Sequence, residues 1–282
     1  MIFFFEDGRL GNQLFQYFGV TNYFKGHKIF FFGFKGLRKV IDVENISFVG
    51  GAKSTNWFGV NWLKRFFELM AALHIIGTIA EARRGADYSI VAKKGILRKA
   101  FLLKASFFQH ESATSQIPQD VKLHPSVVIE AERWLVSNNI EVESLVFVHV
   151  RRGDYLYWPS ACSPAVLPCS WYEAAMKMMA EKIDKPIFLV VTDDPYYAED
   201  VWGGRPGVFI SYNKIEIDLA LMSKCSHGIL SASSFAWWGA WLSKINNYSG
   251  DVRYYVAPKY WAGHRIAQWY PEGFFSKWIT YI

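Results

Sequence analysis

The chain has 282 residues, of which 51% are hydrophobic, 18% aromatic and 20% charged. Such a composition buries a sizeable core and excludes intrinsic disorder, and the length holds one large domain or two of ordinary size. With 31 Lys and Arg against 25 Asp and Glu, the net charge is +6; this suits an anionic small ligand or an acidic membrane face and falls short of the basic patches of a dedicated nucleic-acid binder.

Ile2–Phe5 is an apolar run that predicts a buried strand. The segment GRLGNQLFQY, residues 8–17, follows. Gly8 and Gly11 permit backbone conformations closed to other residues and let a ligand approach closely. A helix is expected from about Gln13 to Lys25. Asn12 and Gln13 then sit at its N-terminus, where free N–H groups and the dipole favour an anion. A tight turn capped by Asn12 is the competing reading. Lys28–Phe34 reads as a second strand, and residues 35–140 read as mostly helical, with a loop near 116–125. The longest apolar stretch is FFELMAALHIIGTIA, residues 66–80, broken by Glu68 and His74. It is shorter than the ~20 residues a membrane span needs, so a buried helix is expected, with a helix lying on a membrane surface as the alternative.

The second half alternates more cleanly. Strands are expected at Leu145–Val150, Ile187–Thr192, Val208–Ile210, Gly228–Ser231 and Val252–Val256. Helices are expected at about Ser170–Lys182, Lys214–Cys225 and Phe235–Ile245. Apolar strands alternating with helices imply a parallel sheet covered on both faces. The N-terminal half opens with the same strand–loop–helix unit, so the expected fold is α/β with two doubly wound, Rossmann-like halves facing a cleft. The expected division is 1–143, 144–256, and a segment 257–282 packing back on the first domain. Ligands in such folds sit at the carboxyl ends of strands.

HVRRGDY, residues 149–155, leaves such a strand end. Strand alternation sends His149 and Arg151 to one side and Arg152 to the other. A guanidinium facing a cleft suits a phosphate bidentately, while a salt-bridge cluster with Asp154 is the plainer alternative. In EIDLALMSKCSHGILSASSFAWWGAW, residues 216–241, Ile215, Leu219 and Met222 predict a buried stripe. Asp218 reads as the single carboxylate on that helix's apolar face, able to accept the two donors on a guanine edge. It reads equally as a first-turn charge favoured by the dipole. Ser231, Ser233 and Ser234 precede the next helix and cap it, and Trp237, Trp241 and Ile245 form a core stripe on it. Asp193 and Asp194 follow a strand and can hold a metal, contact a ribose or cap a turn, the cap being preferred. No DxD, GxSxG, HExxH or P-loop occurs. The cysteines Cys162, Cys169 and Cys225 form no CxxC or Cys/His cluster, and MIFFFEDG has no basic n-region. A reducing cytoplasm is therefore expected.

Together these motifs resemble the alpha-1,2-fucosyltransferase family, whose members use GDP-fucose. GRLGNQLFQY is similar to the family's GGLGNQMFQY, HVRRGDY to HIRRGDY, Ser233–Leu242 to SSFSWWGAWL, and Asp218–Cys225 to DLxLMSxC. Fainter likenesses are SFFQHE at 106–111, FLVVTDD at 188–194 and APKYW at 257–261. The resemblance implies a GT-B architecture, inverting chemistry, and no metal or other cofactor beyond the GDP-L-fucose donor. It places Arg151 on the pyrophosphate, His149 and Asp218 on the guanosine, and Ser233, Ser234 and Phe235 on the phosphates. It implies that Asn12 lies by the fucose and that Gly11 helps bind the donor. Asp154, Glu111, Glu6 and Asp7 are candidates for a catalytic base, with Asp154 preferred, although Asp154 can instead anchor Arg152. Arg9 and Phe18 depart from the family pattern. Residues 35–105 match none of it and are expected to help bind an oligosaccharide acceptor, free or lipid-linked. The resemblance further implies a cytoplasmic enzyme of bacterial O-antigen synthesis, with peripheral contact with the inner membrane as an option. The rival readings are another GDP-deoxyhexose or nucleotide-sugar donor, a nucleic-acid-binding module, and a glycan-binding protein without catalysis.

Overall fold

Aromatic and β-branched runs at both ends of the chain start parallel strands. The computed structural model describes residues 1–41, 47–49, 57–84, 87–104, 106–246, 250–261 and 274–282. It divides into two units, Met1–Pro118 and Gln119–Ile282. The division precedes the expected one at 143 because the helix at Pro125–Ser137 packs on helix Ile215–Lys224, helped by a Lys224–Glu132 ion pair of 2.5 Å.

The first unit runs β1 (Ile2–Phe5), α1 (Leu10–Tyr23), β2 (Ile29–Phe32), α2 (Leu37–Val40), β3 (Ser47–Val49), α3 (Trp57–Ala72), β4 (Ile76–Arg84), β5 (Asp87–Lys93), β6 (Leu97–Leu103) and α4 (Glu111–Thr114). Its sheet has the order β3-β2-β1-β6-β4-β5. The two IFFF runs pair in parallel, Ile2 opposite Ile29 through Phe5 opposite Phe32, and the Phe5 and Phe32 rings stack at 4.3 Å. The mostly helical reading of 35–140 fails here, since four strands lie within it. β4 and β5 form an antiparallel hairpin, so this sheet is not wholly parallel. The apolar stretch 66–80 is not one buried helix. α3 stops at Ala72, His74 takes a left-handed φ of 55°, and β4 begins at Ile76. The β-branched residues Ile75, Ile76, Thr78 and Ile79 favour the pleat over the helix. α3 rests on the sheet through Val60, Leu63, Phe67, Met70 and Ala71, which face Phe5, Phe32, Ile76 and Leu102.

The second unit runs α5 (Pro125–Ser137), β7 (Leu145–Val150), a short ladder of β8 (Pro159–Ser160) and β9 (Ser163–Pro164), α6 (Cys169–Ala180), β10 (Ile187–Thr192), α7 (Pro195–Trp202), β11 (Val208–Ile210), α8 (Ile215–Lys224), β12 (His227–Ile229), α9 (Ser234–Ile245), β13 (Tyr255–Ala257) and β14 (Thr280–Tyr281). The main sheet, β11-β10-β7-β12-β13-β14, is parallel throughout. All six side chains of β7 are buried, as a central strand covered on both faces requires. Val146, Val148 and Val150 pack with Tyr172, Met176 and Met179 of α6 and Trp202 of α7. On the opposite face, His149 meets Phe235 of α9. The terminal strand β14 extends this second sheet, with Phe274 and Ile279 buried, so the described part of 257–282 belongs to the second unit and not to the first. α8 is buried almost all round. The exceptions are its two ends, Ile215, which is exposed instead of joining the predicted stripe, and Lys224; Glu216 is buried beside Asp218. Trp237, Trp238 and Trp241 are all core.

Candidate active site

Because the second sheet is parallel, β7, β10, β11 and β12 deliver their carboxyl ends to one edge, and four motifs converge there. His149, the fifth residue of β7, is 5% exposed, and its Nδ1 hydrogen-bonds Ser231 Oγ at 2.7 Å. Burial, reinforced by the Arg151 charge, pushes its pKa down to about 3, so the imidazole is neutral. Ser231 thus serves His149. The cap of α9 is Ser233, whose Oγ accepts from the Phe235 N–H at 3.3 Å, and Ser234 is the first helical residue.

Arg151 and Arg152 part ways as the pleat requires. Arg151 pairs with Asp193 at 2.6 Å and with Asp154, and its guanidinium lies 5.4 Å from the Tyr155 ring. Arg152 bonds Asp194 at 3.0 Å and stacks 3.5 Å over Tyr197. The idea that Asp154 anchors Arg152 is therefore overturned: Asp154 is held by Arg151. Asp194 caps α7, accepting from the Tyr197 N–H at 3.2 Å, and Asp193 accepts from the Arg152 N–H at 2.8 Å. The sequence reading missed Asp193 as the partner of Arg151. Its signal was in register, since Thr192 lies opposite Val150 and the two loops leave the sheet side by side. Gly153 is needed for space and not for an unusual φ, as a Cβ there would meet Asp193 Oδ2 at 2.6 Å. Tyr155 closes the site, donating to the Ala232 carbonyl at 2.7 Å; burial pushes its pKa up to about 12.

Asp218 lies in the first turn of α8, just beyond β11. It is 6% exposed and accepts from Ser211 Oγ at 2.5 Å. Burial raises its pKa to about 7, offset in part by the Ser211 bond, with Glu216 adding to the rise. A carboxyl at that value is half ionised near neutrality and gains from any pair of N–H donors brought to it.

Gly11 and Asn12 belong to the first unit. α1 begins at Leu10, earlier than expected, with Arg9 as its N-cap, so Asn12 lies inside the first turn and is not the cap. Its Oδ1 accepts from Gln109 Nε2 at 2.8 Å, which gives the SFFQHE segment a structural place. Gly8 turns at φ 78°, and a Cβ there would come within 2.4 Å of Asn12 Nδ2. Among the other base candidates, Glu6 accepts from the Phe34 N–H and burial raises its pKa. Glu111 is exposed at the start of α4, and Asp7 is half-buried, its N–H donating to Gln16 Oε1 at 3.2 Å. Also in this unit, a cavity of about 450 Å³ opens between α3 and the sheet, lined in part by Phe5, Lys64, Glu68, Thr78, Leu102 and Lys104. Among the described residues no three His, Cys, Asp or Glu side chains converge to hold a metal, and no helix is long and apolar enough to cross a membrane.

Two α/β units, the first with a mixed sheet and the second with a parallel one that gathers a neutral histidine, an arginine and a capped helix at its strand ends, have the GT-B architecture. The fold agrees with a structure of POFUT1 in complex with GDP-fucose, at a TM-score of 0.53 and 12% identity, covering 89% of this chain and 96% of that one. Residues 86–279 match the model for Glycosyl transferase family 11, and the chain belongs to that family. It is 30% identical over 159 residues to the O-antigen biosynthesis glycosyltransferase WbnK of Escherichia coli, covering 55% of this chain and 47% of that protein. It is likewise 30% identical over 162 residues to an alpha-1,2-colitosyltransferase of Escherichia coli, covering 55% and 52%. The chain spans about half the length of these curated relatives.

Proposed function

We propose that this chain transfers L-fucose from GDP-L-fucose, with inversion, to the 2-OH of a terminal galactose on a surface glycan such as an O-antigen, working at the cytoplasmic side of the inner membrane. The observation that carries the reading is the convergence of neutral His149, Arg151 and the Ser233-capped start of α9 on one sheet edge, in a chain of this family.

The departing GDP gains charge as the glycosidic bond breaks. Arg151 and the N–H groups at the start of α9 meet that charge, which is why no metal is required in this reading. A diphosphate reaching Arg151 competes with its two carboxylates. Asp154 is the cheaper to displace, being 54% exposed against 25% for Asp193. Its release from Arg151 turns a carboxylate towards the reacting centre, able to take the proton of the attacking hydroxyl. Asp218 accepts from the guanine edge and His149 supports the nucleoside. Asn12, at the start of α1, contacts the fucose, and the cavity under α3 has room for part of an oligosaccharide.

The test is GDP release from a panel of GDP-sugars with galactose-terminated acceptors, with and without a chelator. GDP-L-fucose is expected to be turned over, and turnover to survive chelation. Preference for GDP-colitose would move the chain to the other relative's chemistry. Acceptor binding without GDP release would make it a glycan-binding protein. Loss of turnover on chelation, restored by manganese, would overturn the metal-free reading.

A further inference from the structure

α3 presents three faces where a surface helix ordinarily presents two. One carries Val60, Leu63, Phe67, Met70 and Ala71 against the sheet, and a second carries Asn61, Lys64, Arg65 and Glu68. The third, from Trp62 through Phe66 and Leu69 to Leu73 just past the helix end, recurs at spacings of four, three and four, so its members share one side. These four are 66%, 43%, 56% and 58% exposed, and the Trp62 and Phe66 rings stack in parallel at 6.0 Å. The stripe is about 17 Å long at helical rise. It continues at the β5–β6 turn, where the Ile96 N–H donates to the His74 carbonyl at 2.7 Å and the Ile96 side chain is 75% exposed. A contiguous apolar surface of this kind calls for a partner.

Charge says which. Residues 57–104 hold nine Lys and Arg against three Asp and Glu, an excess equal to the whole chain's +6, so the remainder of the sequence is electrically balanced. Arg65 on α3 is exposed, and so are Lys93, Lys94, Arg98 and Lys99, which flank Ile96 in the chain at the β5–β6 turn. We propose that this face docks the protein on an anionic lipid surface, with Trp62, Phe66, Leu69, Leu73 and Ile96 entering the headgroup region and the flanking cations meeting lipid phosphates. A Trp beside Leu and Phe, ringed by Lys and Arg, is the composition of an interfacial helix. A second copy of the chain is a poor occupant, because a two-fold contact through this face would bring two positive surfaces together. Leu69, Leu73 and Ile96 offer nothing to nucleic-acid bases beyond apolar contact. The inference is independent of the transfer reaction.

The test is co-sedimentation of the full chain with vesicles of phosphatidylcholine alone and of phosphatidylcholine with phosphatidylglycerol. Binding is expected to the second and not the first. Phe66→Ser/Leu69→Ser removes the apolar contact and Arg98→Glu/Lys99→Glu reverses two charges. Each cation near an anionic surface is worth several-fold in partition, so each double variant should lower vesicle binding at least tenfold at unchanged melting temperature. Absence of wild-type binding to the anionic vesicles would overturn the proposal, as would unchanged binding by both variants. A wild-type dimer that Phe66→Ser/Leu69→Ser turns into a monomer, without vesicle binding, would assign the face to a second copy instead.

Discussion

The two units use the same strand–helix alphabet and bury it differently. In the second, β7 is hidden on both faces, α8 and α9 are buried nearly all round, and polar groups reach the strand ends as partnered sets. In the first, the sheet ends in an antiparallel hairpin, α3 leaves Trp62, Phe66 and Leu69 exposed, and residues 57–104 carry the excess charge. The contrast separates two tasks. On the proposed function, the site for a charged leaving group is built on double-covered strands, whereas the surface proposed to meet a fluid partner has one layer beneath it.

The sharpest way to break the comparison is to cut the second unit's core. Phe147→Ala, on β7 and fully buried, should cost about 3–5 kcal/mol, read by denaturant unfolding. A loss below 1 kcal/mol would mean that the central strand does not carry this unit.

Next come the arginines. Arg151→Ala should lower turnover by ~10²–10³. Arg151→Lys should also be impaired, since a point charge cannot replace the fork held by Asp154 and Asp193. Arg152→Ala loses the Asp194 pair and the Tyr197 stack and should mainly cost stability, about 1–2 kcal/mol. Inactive but stable Arg152→Ala beside active Arg151→Ala would invert the assignment.

Asp218 gives a pH test. Its folded pKa of about 7 lies above the ordinary 3.8, so the free protein binds more protons than the unfolded chain between those values. Its contribution to stability therefore falls as pH rises from about 4 to about 7 and is level above that. Guanine donors favour the ionised form, so GDP affinity should climb over the approach to pH 7, about tenfold per unit at most, and then flatten. Calorimetry across this range should show the slope, and Asp218→Asn should abolish it. Asp218→Ala should weaken GDP by about 1–3 kcal/mol at pH 8. Equal affinity in wild type and variant would leave Asp218 a structural charge.

The smallest effect is expected on α3. Phe66→Ser/Leu69→Ser should change stability by no more than about 1 kcal/mol per site, because the side chains are 43% and 56% exposed. A loss comparable to that of Phe147→Ala would show the stripe to be core after all.

What the sequence determined by itself was local and periodic. Continuous, mostly apolar runs marked β7, β10 and β11 to the residue, because strands of a covered parallel sheet carry few polar positions to blur their ends. Motif order pointed to the family, and alternation along HVRR separated Arg151 from Arg152. Tertiary structure decided the rest. Residues 66–80 are mostly apolar, and apolarity does not say where a helix stops; the sheet partners of Ile76 and Ile79 did. The exposure of Trp62 and Leu69 follows from how few elements cover α3, and periodicity cannot see that. The partners of the charged groups were equally hidden. Asp193 reaches Arg151 across 42 residues, Ser231 reaches His149 across 82 and Gln109 reaches Asn12 across 97, because parallel pairing brings strand ends together however far apart they lie in the chain.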